Sequence, residues 1–116
     1  MNIEHIREYC LKKNGVSESF PFGEETLVFK VGEKVFLLTH LEEGTSFNAK
    51  CDPDWAVELR EQYEEVQPGY HMNKKHWNTV RIDGRLSTAL LHKIIDHSYD
   101  LVVASLPKKA KAELGL

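Results

Sequence analysis

The residue types most suited to binding a ligand are concentrated in residues 68–83, which read PGYHMNKKHWNTVRID. Three cations, Lys74, Lys75 and Arg81, stand among tyrosine, histidine and tryptophan rings, and the one carboxylate is the terminal Asp83. Lysine and arginine side chains contact phosphate oxygens, and an aromatic ring can stack on an unpaired base. The stretch therefore indicates a cationic surface that is suited to nucleic acid.

The same residues also have structural interpretations. Charged residues are common at exposed turns, and a tryptophan in an alternating strand, such as Trp77, is more typical of a core than of a base-stacking surface. His71 and His76 would lie opposite each other across a two-residue turn, but two ligands are too few for a closed zinc site. We expect no metal site and no cofactor.

Catalytic signatures are absent from the chain. The motifs GxGxxG, GxxxxGK[ST], HExxH and GxSxG do not occur, and the carboxylates form no convincing acid–base pair. Cys51 with a distant histidine is the one nucleophile arrangement that the sequence leaves open. Cys10 and Cys51 have no CxxC spacing, and we expect both to be buried, unpaired thiols. We expect a protein that is not an enzyme.

Length and composition predict one soluble globular domain over residues 1–116. The chain is 41% hydrophobic and 28% charged, and no apolar run approaches the ~18 residues of a membrane span. The first residues, MNIEHIREYC, lack the pattern of a signal peptide, so we expect a cytoplasmic protein without membrane contact.

The net charge of −3 is unevenly distributed. Residues 1–67 contain seven Lys/Arg and fourteen Asp/Glu, a net of −7, whereas residues 68–116 contain eight and four, a net of +4. Such a distribution can place a positive face on an acidic protein, and it is equally compatible with two solvated faces.

Hydrophobic periodicity predicts the elements that position the basic stretch. Helices are expected near 3–13, 53–64 and 87–105, with Asn2, Asp52 and Ser87 as N-caps. Strands are expected near 26–31, 34–40, 45–51, 69–72 and 76–82. The segment before the first strand is expected to be a loop that Phe20 and Phe22 anchor to the core, and residues 107–116 a short basic tail.

The order α-βββ-α-ββ-α, with short turns between strands, predicts a two-layer α+β fold with one antiparallel sheet. Gly32-Glu33 has the glycine-first form of a type II′ turn between the first two strands. Asn73, Lys74 and Lys75 are expected at the tip of a hairpin made by the last two.

Three runs resemble the MmcQ/YjbR-like family of small bacterial proteins. They are FPFGEETLVFKVGEKVFLL (20–38), KCDPDWAVELREQYEEVQPGYHMNKKHWNTVRIDG (50–84) and SYDLVVASL (98–106), and PGYHMNKKHWNTV is the most specific part. The resemblance implies a fold of the frataxin-like or secretion-chaperone-like kind. It also implies DNA binding through a double-wing arrangement of the sheet.

We therefore interpret the sequence as a non-enzymatic DNA-binding protein. The expected nucleic-acid-binding residues are Asn73, Lys74, Lys75, His76 and Arg81, and Lys34 is the candidate for a second wing. The main alternative is an adaptor that binds a protein or peptide on the same fold. A small-ligand binder or an enzyme is a further alternative.

Overall fold

Four helices and six strands follow one another in a computed structural model that describes residues 1–116. In chain order they are α1 (Ile3–Leu11), β1 (Val16–Ser19), β2 (Thr26–Val31), β3 (Lys34–His40), β4 (Ser46–Lys50), α2 (Pro53–Gln62), β5 (Val66–Pro68), β6 (Trp77–Arg81), α3 (Thr88–Ser105) and α4 (Lys108–Leu114). The α+β class and the order α-βββ-α-ββ-α are confirmed, with β1 and α4 as additional elements. Strand β1 lies in a segment that was expected to be a loop.

The three expected N-caps are confirmed by their hydrogen bonds. Asn2 Oδ1 accepts from the amide of residue 5 at 3.0 Å, and Ser87 Oγ accepts from the amide of residue 90 at 3.1 Å. Asp52 Oδ2 accepts from the amides of residues 54 and 55, both at 3.2 Å, and Pro53 occupies the first helical turn. These bonds satisfy amides that a helix leaves without an internal partner, which is why these residues begin the helices.

All six strands form one antiparallel sheet in the order β1-β2-β3-β4-β6-β5. The first four strands form a meander, in which each strand pairs with the next along the chain. Strand β6 pairs with β4, although α2 and β5 lie between them in the sequence, with Asn48 opposite Thr79 and Lys50 opposite Trp77. Strand β5 pairs with the other side of β6 and forms the edge of the sheet. The stretch 68–83 is thereby placed at the β5 end of the sheet, with β6 as the strand next to the edge.

The helices pack on one face of this sheet. Leu27, Phe29 and Phe47 of that face join one hydrophobic core with buried residues of α1, α2 and α3, and residues of α4 pack against it. Because strand side chains alternate between faces, the pairing registers define the other face. Its members are Ser17, Ser19, Thr26, Val28, Lys30, Val35, Leu38, His40, Ser46, Asn48, Lys50, Gln67, Trp77, Thr79 and Arg81. We call it the helix-free face.

The turn between β2 and β3 differs from the expected type II′ geometry. Gly32 and Glu33 both have positive φ, 57° and 67°, as a type I′ turn requires. A Cβ on Gly32 would lie 2.7 Å from side-chain atoms of Leu106, so the C-terminal end of α3 packs directly against this turn. The type II′ prediction is therefore wrong.

Two further expectations concern side-chain burial. Cys10 and Cys51 are both buried and unpaired, as expected. Phe20 and Phe22, in contrast, do not anchor their loop, because 47% and 71% of their surfaces are exposed. No helix has the length and apolar character that crossing a membrane requires.

Candidate nucleic-acid interface

Residues 69–76 connect β5 to β6 as a long loop, not as a tight turn between two long strands. The strand expected at 69–72 is wrong, since β5 ends at Pro68 and His71 has a φ of 58°, outside the extended region. The chain leaves the sheet at Gly69, where an added Cβ would lie 2.8 Å from Trp77 Cβ and 2.9 Å from the Trp77 carbonyl oxygen. Gly69 is required here because any side chain would collide with β6.

The first part of this loop folds back over the helix-free face. The Tyr70 amide donates to Thr79 Oγ1 at 2.9 Å, and the Tyr70 carbonyl accepts from Asn48 Nδ2 at 3.3 Å. Thr79 Oγ1 in turn donates to Asn48 Oδ1 at 2.6 Å. Both main-chain polar groups of residue 70 are thus hydrogen-bonded to the sheet, the amide to β6 and the carbonyl to β4. The loop lies on the sheet instead of extending from it.

The second part of the loop is attached to α2. Arg60 Nε donates to Asn78 Oδ1 at 2.7 Å, and the same guanidinium donates to the Lys74 carbonyl through Nη2. Lys74 Nζ donates back to the Gly69 carbonyl at 3.2 Å, which closes the loop on itself. Asn73 Oδ1 accepts from the Lys75 amide at 2.9 Å. The loop is therefore stabilised by side chains from three separate elements.

The expected binding residues fall into two groups in the structure. Asn73, Lys74 and Lys75 are exposed on the loop, and His76 is half-buried where the loop enters β6. Arg81 lies at the far end of β6 on the helix-free face, with 48% of its side chain exposed and its Nε 3.9 Å from Asp83 Oδ2. The structure does not bring these five residues to one side of the sheet, because Arg81 is on the helix-free face, whereas the Lys74 carbonyl is bound by Arg60 of α2, a helix of the other face.

Lys34, the candidate for a second wing, lies on the face that carries the helices. Its register partner is Val31 of the core, so its side chain leaves the sheet on the face that carries the helices. Its Nζ donates to the Ser105 carbonyl at 3.4 Å and to Ser105 Oγ at 3.3 Å, at the C-terminal end of α3. A cation is favoured there by the helix dipole, which gives Lys34 a structural role.

Two cations that sequence reasoning missed lie on the helix-free face. Lys30 of β2 and Lys50 of β4 share this face with Arg81, and no Asp or Glu occurs among its strand residues. Lys50 lies directly opposite Trp77 in the register. The alternation of each strand was readable from the sequence, but the pairing of β4 with β6 was not, so the shared face could not be assembled.

Trp77 illustrates the same point. It was expected to be a core residue, but its side chain is on the helix-free face, half-buried and outside the hydrophobic core. Its register partner Lys50 is a half-buried cation, and an aromatic ring beside a cation is the arrangement that single-stranded nucleic-acid surfaces use. The core expectation for Trp77 is wrong because the core lies on the opposite face of its strand.

Besides Asp83, which lies beside Arg81, two groups of exposed carboxylates lie near the sheet. Exposed Asp54, Glu58, Glu61 and Glu64 lie along or just after α2, and Glu24, Glu25, Glu42 and Glu43 lie in the loops at the other end of β2 and β3. Neither group is on the strands of the helix-free face. The second group nevertheless borders loop 69–76, because Glu25, Glu42 and Glu43 line one hollow with Tyr70 and His71.

The thiols do not have the features of nucleophiles. Burial raises the pKa of Cys10 to about 12 and that of Cys51 to about 12, the latter with a further contribution from the Asp52 carboxylate. A catalytic cysteine requires a lowered pKa, because the thiolate is the reactive form. The Cys51–histidine arrangement that the sequence left open therefore finds no support in the geometry.

A small α+β domain, with helices on one face of an antiparallel sheet and a basic, loop-crossed surface on the other, is the class of protein that this geometry defines. The chain belongs to the YjbR family, whose model matches residues 11–101. The resemblance carried by residues 20–38, 50–84 and 98–106 is thereby confirmed.

Relatives match over nearly their whole length. The uncharacterized protein YbdF of Escherichia coli O157:H7 is 40% identical over 107 residues, which cover 91% of this chain and 88% of YbdF. The uncharacterized protein YjbR of Escherichia coli K12 is 31% identical over 112 residues, covering 96% and 95%. The crystal structure of Deinococcus radiodurans protein DR2400, described as a DUF419 domain, superposes with a TM-score of 0.92 at 38% identity, covering 99% of this chain and 88% of that one.

Proposed function

We propose that this protein is a non-enzymatic DNA-binding protein that contacts phosphates through the helix-free face and the adjacent loop 69–76. The observation that carries the proposal is the charge of that face. Lys30, Lys50 and Arg81 are its charged strand residues, and all three are cations. Lys75 adds an exposed cation where the loop returns to β6. Phosphate contacts of this kind supply most of the affinity of sequence-independent DNA binding.

The overall charge of −3 is compatible with this proposal because no carboxylate is on the strands of the helix-free face, although Asp83 and Glu64 border it beside Arg81. Acidic residues on α2 act on DNA only through a long-range field, which salt screens beyond about 10 Å at 0.1 M. Direct contacts on the helix-free face are screened less. The affinity is therefore expected to be modest and to depend strongly on the salt concentration.

The test is a titration of random-sequence duplex and single-stranded DNA at several salt concentrations. Each phosphate contact contributes about 0.9 to the slope of log affinity against log salt on duplex DNA and about 0.7 on a single strand. Lys50→Gln, Lys75→Gln and Arg81→Gln should each weaken binding to all sequences and flatten the duplex slope by about 0.9. Lys74→Gln should have a smaller effect, since Lys74 Nζ already donates to the Gly69 carbonyl.

The matched control is the pair Lys108→Gln and Lys109→Gln on α4, which removes exposed charge from a helix that packs on the opposite face. This variant should keep the slope of the wild type. If the control flattens the slope as much as the helix-free-face variants do, the protein attracts DNA by net charge alone and the proposed surface is refuted. Absence of measurable binding at low salt refutes the function itself.

A further inference from the structure

A cleft opens on the helix-free face beside the loop, away from Lys50 and Trp77. Its volume is about 230 Å³, and Phe22, Leu38, Tyr70 and Met72 form its apolar lining. Loop 69–76 provides one wall, and Phe22, from the segment before β2, provides the other. The cleft thus exists only because the loop folds back over the sheet.

The walls of this cleft are aromatic and unusually exposed. Phe22 has 71% of its surface exposed and Tyr70 has 62%, and the Tyr70 ring lies 4.0 Å from the His71 ring, centroid to centroid. Exposed aromatic side chains around a concave surface are typical of binding sites, where they supply anchoring contacts. They do not contribute to the core of this protein.

The floor of the cleft is effectively apolar. Leu38 is 6% exposed and Asn48 is 4% exposed. Both polar groups of the Asn48 amide are already bonded, Nδ2 to the Tyr70 carbonyl and Oδ1 to the Thr79 hydroxyl. Thr26 and His40, which also line the cleft, are hydrogen-bonded to each other between Oγ1 and Nδ1 at 3.1 Å, so an occupant of the floor is held mainly by apolar contact.

The size of the cleft limits the occupant. Sites that bury a drug-sized ligand have volumes of about 300–1,000 Å³. A cleft of about 230 Å³ is smaller than that range and is open to solvent between two loops. It suits one apolar side chain presented by a larger partner.

The charges beside the cleft indicate which residues would flank that side chain in the partner. A second hollow of about 230 Å³ adjoins the cleft and shares four lining residues with it, Thr26, His40, Tyr70 and His71. Its other lining residues are Glu25, Glu42 and Glu43. No lysine or arginine lines either hollow. Three carboxylates repel a nucleic-acid backbone and attract a cation placed beside the apolar group.

We propose that this cleft binds a peptide segment of a partner protein in which an aromatic or large aliphatic side chain neighbours lysine or arginine. The apolar side chain occupies the cleft between Phe22 and Tyr70, and the cation lies against the carboxylates of Glu42 and Glu43. The cleft lies on the same face as the proposed DNA surface but includes none of its cations, and this proposal does not depend on DNA binding.

The experiment is a titration of ¹⁵N-labelled protein with acetylated, amidated pentapeptides, followed by amide chemical shifts. Gly-Lys-Phe-Lys-Gly is the probe, Gly-Glu-Phe-Glu-Gly reverses its charge, and Gly-Lys-Ser-Lys-Gly removes its ring. We expect the probe to shift amides around Leu38 and Met72. Both altered peptides should bind at least about tenfold more weakly, since each lacks one half of the recognised chemistry.

Variants of the protein test the same two halves. Phe22→Ser should lower the affinity for the probe peptide by about tenfold, and so should the separate double variant Glu42→Gln with Glu43→Gln. The controls are Val57→Ser, which removes another exposed apolar side chain, and Glu58→Gln with Glu61→Gln on α2. Because all these positions are exposed, the variants are expected to fold.

Three outcomes overturn the proposal. The first is the absence of any shift near the cleft, and the second is equal binding of the charge-reversed peptide. The third is tighter binding of free phenethylamine than of the pentapeptide, which would make the cleft a small-molecule site. Reduced DNA affinity of Lys50→Gln and Lys75→Gln, with unchanged peptide binding, would show that the peptide and DNA contact different residues.

Discussion

The hydroxyl of Thr79 connects the loop to the sheet, and its removal is the sharpest test of the loop's attachment. Thr79→Val preserves the shape of the side chain and suits a strand, but it loses two hydrogen bonds. One bond is donated to Asn48 Oδ1 at 2.6 Å, and the other is accepted from the Tyr70 amide at 2.9 Å. Both partners remain in place without it.

The two losses differ in cost. Tyr70 is exposed, so water can replace the bond to its amide, and that loss should be small. Asn48 is only 4% exposed, so its carboxamide oxygen is left buried without a donor, which costs about 1–3 kcal/mol. We expect Thr79→Val to lower the free energy of unfolding by about 2 kcal/mol, and the melting temperature by about 8 °C for a domain of this size.

Urea denaturation measures the stability change, and amide hydrogen exchange at Tyr70 measures the opening of the loop. Exchange at this amide should become faster than the global change in stability explains. The control is Thr45→Val, an exposed threonine that directly precedes β4, which should change stability by less than about 0.5 kcal/mol. Equal effects of the two substitutions, or unchanged exchange at Tyr70, would refute the attachment that we describe.

Two further predictions concern Gly69 and His97. Gly69→Ala should cost about 1–3 kcal/mol, because its Cβ would lie 2.8 Å from Trp77 Cβ, and a urea midpoint equal to that of the wild type would contradict this reasoning. His97 Nε2 accepts from the Asp52 amide at 3.0 Å, and burial lowers the pKa of His97 below 6.5. As the pH falls, His97 therefore takes up its proton in the unfolded chain at a higher pH than in the folded protein. Stability should be unaffected by this group above pH 6.5 and should decrease as the pH falls through the folded pKa. Urea unfolding at about pH 7.5 and 5.5 should show a smaller loss for His97→Gln than for the wild type.

Local chemistry made a large part of the fold predictable. Asn2, Asp52 and Ser87 begin their helices by bonding amides within three residues of themselves, so the sequence contains all the information for these starts. The hairpin of β2 and β3 is similarly local, because a two-residue turn joins two strongly strand-forming runs. Its turn type was missed, since Glu33 adopts a positive φ that is uncommon for glutamate.

The candidate site depended on contacts between distant residues. The course of residues 69–76 is determined by Asn48 and Thr79, which are neighbours only because β4 pairs with β6 across α2. That pairing also decides which face Trp77 and Lys50 share. Strand β1 is short and polar, and its residues form a strand only through pairing with β2. None of these pairings leaves a periodic signal in the sequence.

Strand β5 has a consequence for how molecules of this protein behave when they are concentrated. The Gly69 amide donates to the Trp77 carbonyl, and the Arg81 amide donates to the Glu65 carbonyl, on either side of Gln67. Because main-chain groups alternate in direction along a strand, residues 66 and 68 direct theirs away from the sheet. The amide of residue 66 donates to the Tyr63 carbonyl at 3.1 Å, and proline has no N–H. This edge therefore has no free donor with which an incoming strand could start a ladder, and self-association into cross-β aggregates is disfavoured on this side of the molecule.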